Sequence, residues 1–184
     1  MEAFLVSTGL VALAEMGDKT QLLALVLATR YGRPWTIILG ILVATVANHA
    51  LAAGVGAWIT RVVDPDVLRW TVGAGFIAMA VWTLIPDKPG AEVGKAHFGV
   101  FGTTCVAFFL AEMGDKTQVA TIALAARFAT FVPVVLGTTA GMLLANIPAA
   151  LLGDRLAAKL PLRALQRVAA AIFAVLGVLA LVTG

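Results

Sequence analysis

The sequence predicts an all-α integral membrane protein of six transmembrane helices, built as two inverted three-helix repeats. Three observations predict it. Of the 184 residues, 61% are hydrophobic and only 12% are charged, too little polar surface for a soluble domain of this size. The apolar residues fall into six stretches, most near the roughly 20 residues that a bilayer span requires. Finally, the octapeptide AEMGDKTQ occurs twice, at Ala14–Gln21 and at Ala111–Gln118, 97 residues apart.

The stretches run over about residues 3–29, 35–59, 67–85, 98–126, 131–153 and 163–183, separated by short groups rich in Gly, Pro and charge. The first is preceded by Glu2 rather than by Lys or Arg and contains Glu15, Asp18 and Lys19. It is a poor signal peptide and is expected to stay in the mature chain. Trp35, Trp58, Trp70 and Trp82 fall near segment ends, where interfacial anchors belong. Cys105 is the only cysteine, which excludes an internal disulfide framework and a cysteine-based metal site.

The formal charge of +3 does not mark a nucleic-acid binder, because the basic residues sort by loop. Arg30, Arg33, Lys88, Lys95, Arg155, Lys159 and Arg163 follow segments one, three and five, with Arg167 just inside segment six; the other side holds Arg61, Arg69 and Arg127. The positive-inside rule puts the first group in the cytoplasm and both termini outside it.

The 97-residue offset also pairs Arg30 with Arg127 and Gly40 with Gly137, while Asn48 pairs with Asn146 one residue out of step. The chain therefore reads as a duplicated unit, residues 1–90 and 91–184, forming a single transport domain. Three spans per unit is an odd number, so the second copy enters the membrane from the opposite side. Inverted repeats of this kind hold their substrate near the midplane, where the halves meet. Glu15 lies some 12 residues into segment one and Glu112 about 14 into segment four, near mid-bilayer at 1.5 Å per residue.

An ionised side chain at that depth costs roughly 2.5 to 3.5 kcal/mol on insertion scales, so it faces a bundle interior or a water-filled cavity. In a continuous helix Glu15, Asp18 and Lys19 share a face, with Lys19 able to pair with Glu15, and Glu112, Asp115 and Lys116 repeat the pattern. Four carboxylates and two ammonium groups sum to a formal charge of −2, complementary to a divalent cation. Their oxygens are hard ligands suited to Ca²⁺, Mn²⁺ or Mg²⁺. Gln21, Gln118, Asn48 and Asn146 are candidate neutral ligands, and Thr20 and Thr117 supporting hydrogen bonders. Gly17 and Gly114 interrupt helix propensity inside each motif, allowing either close packing or a local break. Because metal binding requires deprotonated ligands, cation and protons compete for the same oxygens, which is the requirement for exchange.

The twin Glu-x-Gly-Asp-Lys-Thr motifs, in the first and fourth of six spans, resemble those of the small calcium/manganese cation:proton exchanger family, which includes bacterial manganese exporters and Golgi calcium/manganese transporters. The resemblance covers essentially the whole chain. It implies Mn²⁺ export, or Ca²⁺ and Mn²⁺ loading, in exchange for H⁺, with Glu15, Asp18, Glu112 and Asp115 at the ion site. The short loops resemble the bacterial members, which implies an inner membrane and favours Mn²⁺. No cofactor beyond the transported ion is expected; the partners are the lipid bilayer, the cation and protons, and a bundle this small is compatible with a homodimer.

Two other functions fit parts of the pattern. A passive divalent cation channel would use the same acids without proton coupling. An intramembrane metal-dependent enzyme would use an acidic site, but the sequence carries no Ser/His or Cys/His constellation, no His-Glu-x-x-His and no phosphate-cradling Gly loop. The chain is therefore read as a transporter, not an enzyme. His49, beside Asn48, reads as a packed, hydrogen-bonded histidine, with a ligand or proton-relay role as the alternative.

Overall fold

The computed structural model describes residues 1–85, 98–152 and 162–182. Lys88, Lys95, His97, Arg155 and Lys159 lie outside the described residues. Every described element is helical: α1 (Glu2–Glu15), α2 (Lys19–Tyr31), α3 (Pro34–Val62), α4 (Pro65–Thr83), α5 (Gly99–Glu112), α6 (Lys116–Phe128), α7 (Val132–Leu152) and α8 (Leu162–Val182). Pro34 and Pro65 open α3 and α4, where the missing N–H is not needed and the fixed φ suits a helix start. The Asp64 carboxylate caps α4 by accepting from the Asp66 N–H at 2.9 Å.

Segments one and four are not continuous helices, and this corrects the helical reading of the motifs. Each motif breaks the helix after its glutamate. Met16 and Met113 are extended, Gly17 and Gly114 take φ of 86° and 74°, and Asp18 and Asp115 start new helices from extended backbone. Positive φ is open to glycine and costs other residues about 1–2 kcal/mol, so the glycines are what let the chain turn here.

The packing partners are reciprocal between the halves. α1 and α2 of the first half pack on α7 of the second, α5 and α6 of the second pack on α3 of the first, and α3 meets α7 while α4 meets α8. One pair of close approaches repeats residue for residue. A Cβ at Gly40 would stand 2.8 Å from Thr104 Cβ and 3.2 Å from the Phe101 carbonyl oxygen; at Gly137 it would stand 2.9 Å from Ser7 Cβ and 2.6 Å from the Phe4 carbonyl oxygen. All three pairs, Gly40 with Gly137, Thr104 with Ser7 and Phe101 with Phe4, obey the 97-residue offset. Small residues at these crossings allow the backbones to approach, as helix association in lipid requires.

Within its apolar core the bundle buries a set of charged and amide side chains, and it turns large apolar side chains outward. Glu15, Asp18, Asn48, His49, Glu112, Asp115, Lys116 and Asn146 are buried, while Leu39, Val43, Leu51, Val55, Val175, Val178 and Leu179 are exposed. An apolar exterior around buried charged groups suits hydrocarbon surroundings. Among the described residues three helices, Pro34–Val62, Val132–Leu152 and Arg163–Val182, are long and apolar enough to cross a membrane. Trp35, Trp58, Trp70 and Trp82 lie near helix ends with their rings exposed, in keeping with anchoring at the interface.

Candidate metal centre

The site is made of the two broken helices and the middle of α3 and α7. Glu15 and Glu112 are the last residues of α1 and α5, and both are fully buried. Each has one oxygen fixed across its break: the Thr20 hydroxyl donates to Glu15 Oε2 at 2.6 Å, and the Thr117 hydroxyl donates to Glu112 Oε2 at 2.8 Å. The breaks are also closed alike, the Gly17 N–H donating to Gln21 Oε1 at 2.9 Å and the Gly114 N–H to Gln118 Oε1 at 2.7 Å. Both glutamines therefore spend their oxygen on the backbone turn.

One carboxylate oxygen from each of Glu15, Glu112 and Asp115 lies within 4.8 Å of the others. Glu15 Oε1, Glu112 Oε1 and Asp115 Oδ2 are buried with no hydrogen-bond partner. Buried acceptors are normally paired; three carboxylates that converge, each with an oxygen lacking a hydrogen-bond partner, make a donor set suited to a hard cation. Asp18 is buried at the position equivalent to Asp115 but outside this trio.

Lys19 does not pair with Glu15. Its Nζ forms an ion pair of 2.9 Å with Asp115 Oδ1, across the two halves. The physical reason is the break: Lys19 opens α2 rather than continuing α1, so the i, i+4 relation to Glu15 does not exist and Thr20 reaches that carboxylate instead. Lys116, its equivalent, is buried and donates to the Ile85 carbonyl at 3.1 Å. The two motifs have one sequence and two environments.

The amides divide as well. Asn48 joins the site, donating to the Phe109 carbonyl at 3.3 Å and accepting from Gln118 Nε2. Gln21 Nε2 donates instead to the Ala145 carbonyl at 3.1 Å, and Ala145 is the residue that obeys the 97-residue offset from Asn48. Asn146, one position further on, is turned by about 100° around the helix and donates to its own helix at the Met142 carbonyl, 3.0 Å away. His49 is fully buried but neither ring nitrogen has a partner, so it is packed without the hydrogen bonds expected of it.

Removing the Lys19 ammonium tests what this ion pair contributes. Lys19→Ala, which leaves Asp115 Oδ1 without its ammonium partner, is expected to lower turnover several-fold while changing metal affinity less. Metal binding by titration calorimetry set against initial transport rates would separate the two, and unchanged turnover would remove lysine from the cycle.

A helical membrane bundle whose interior gathers carboxylates from two equivalent helix breaks is an ion transporter in its general class. The chain belongs to the divalent cation/proton antiporter family GDT1, which matches it over residues 3–91 and 100–184. A protein of Vibrio cholerae serotype O1 named "Putative manganese exporter" is 48% identical over 174 residues, covering 94% of this chain and 87% of that protein. GDT1-like protein 4 of Oryza sativa subsp. indica is 28% identical over 189 residues, covering 86% of this chain and 66% of that protein. A GDT1-like protein of Synechocystis is 27% identical over 146 residues, covering 68% of this chain and 71% of that protein. No solved structure matches the chain.

Proposed function

We propose that this chain exports Mn²⁺ across a bacterial inner membrane in exchange for protons, binding the cation with Glu15, Asp18, Glu112 and Asp115 between two inverted three-span repeats. The observation that carries the reading is the convergence of Glu15, Glu112 and Asp115 within 4.8 Å, at breaks where the ends of half-helices meet. In inverted-repeat transporters unwound backbone at such breaks coordinates the coupling ion. On this reading α1 with α2, and α5 with α6, each form one interrupted span. The reciprocal packing of the halves supports the inverted repeat, and the 48% identity to the Vibrio cholerae protein supports Mn²⁺.

The cycle follows from competition. Protons or a divalent cation occupy the carboxylate oxygens, but not both, so loading the cation on one side releases protons there and protons on the other side release the cation. Lys19 compensates Asp115 while the cation is absent. The cytoplasmic side is the one bearing the loops after segments one, three and five, with both termini opposite.

The test is metal uptake into proteoliposomes with an internal pH dye, comparing Mn²⁺, Ca²⁺ and Mg²⁺. Mn²⁺ entry matched by proton exit is the expected result, with the apparent Mn²⁺ affinity weakening as the pH on the loading side is lowered. Mn²⁺ entry with no proton movement, driven by voltage alone, would make the protein a channel.

A further inference from the structure

The ion site leaves unexplained a cleft on the outside of the bundle, between α4 and α8. These helices cross at Gly73 and Gly177, where a Cβ on Gly73 would lie 2.6 Å from Leu181 side-chain carbons and one on Gly177 would lie 2.9 Å from the Gly73 carbonyl oxygen. The Phe76 and Phe173 rings, 6.2 Å between centroids, seal the next turn. Beyond the rings the facing residues shrink to alanine, and a cleft of about 320 Å³ opens, lined by Ala80, Val81, Ala170, Ala171 and Ala174 with Arg167. It holds one cation and otherwise only apolar side chains.

Arg167 is exposed, and no carboxylate among the described residues pairs with it. Arg163, also exposed, stands one helical turn before it, on the same face of α8. Trp82, near the C-terminal end of α4, marks the depth of the membrane interface on the neighbouring helix. The arginines are thus at headgroup depth. From Arg167 to Ala174 the cleft descends roughly 10 Å toward the hydrocarbon at 1.5 Å per residue.

We propose that this cleft binds an anionic phospholipid of the surrounding leaflet, its phosphate on Arg167 with Arg163 adding charge, and the upper part of an acyl chain lying along the alanines. Charge complementarity selects the occupant: a zwitterionic lipid satisfies the apolar part equally but not the two arginines, neither of which pairs with a carboxylate among the described residues, and basic pockets between membrane helices recognise anionic headgroups in this way. The proposal rests on α4 and α8 lying in the membrane and is independent of the ion site.

The test is native mass spectrometry of the full chain released from micelles containing equal amounts of phosphatidylglycerol and phosphatidylcholine. The wild type is expected to retain phosphatidylglycerol about tenfold over phosphatidylcholine. R167Q should abolish the preference. A171F, which fills the cleft from an exposed position and leaves both arginines in place, should reduce retention of either lipid, with thermal unfolding in lipid-free detergent near that of the wild type. Equal retention of the two lipids by the wild type would overturn the proposal. So would an undiminished preference in R167Q, undiminished retention in A171F, or a dimer that excludes lipid and is disrupted by A171F, which would make the cleft an interface between two copies of the chain.

Discussion

Replacing Glu112 with Gln is expected to reduce metal/proton exchange at least about 100-fold while the chain still folds and inserts. Substituting residues that merely orient metal ligands typically costs 10- to 100-fold, and Glu112 stands inside the proposed donor set itself. Its Oε2 is held by Thr117, and its Oε1 is a buried acceptor without a partner beside Glu15 and Asp115. The amide keeps the shape and the Thr117 contact, but it removes a charge and turns an N–H₂ toward oxygens that need a cation. Because Glu15 has the equivalent place and the equivalent hydroxyl, Glu15→Gln should fall by a similar factor. Proteoliposome flux normalised to folded protein by size-exclusion chromatography gives the measurement. Full activity in both variants would move the site elsewhere.

Gly137→Val is the second large effect and acts without touching the site. The new Cβ would meet the Phe4 carbonyl oxygen and Ser7 Cβ at 2.6 and 2.9 Å. Backbone cannot rotate aside as a side chain can, so α1 must shift away from α7. Overpacking of this kind costs about 1–3 kcal/mol and occasionally more. The shift also moves Glu15, the last residue of α1, so exchange should drop more than the loss of folded protein accounts for. Gly9→Ala is the control on α1, the helix that Gly137 packs against: nothing lies within 4 Å of the added carbon, and stability should hold or rise by up to about 1 kcal/mol. A Gly137→Val protein with wild-type melting temperature and flux would show that the α1–α7 contact is looser than these distances imply.

Much of the site was legible because duplication writes the same chemistry twice. Glu15 and Glu112, with the threonines five residues later, occur at one spacing, and the spacing places each hydroxyl on its own glutamate. The close-packed glycines at 40 and 137 were visible as offset partners before their contacts were known. The histidine was read less well: His49 was expected to be hydrogen-bonded and is packed with both nitrogens unpartnered, since sequence shows that a histidine sits among apolar residues but not what faces its ring.

The sequence by itself determined the apolar stretches, the duplication, the motif residues and their burial, because hydropathy and charge cost are properties of the residue and its local window. Packing between distant segments set the rest: Lys19 crosses to Asp115, and Asn48 reaches Gln118 while Asn146 bonds its own helix. Those outcomes depend on which backbone lies opposite. Identical octapeptides cannot encode a difference between themselves, so the unequal surroundings of Lys19 and Lys116 come from the elements packed around each motif.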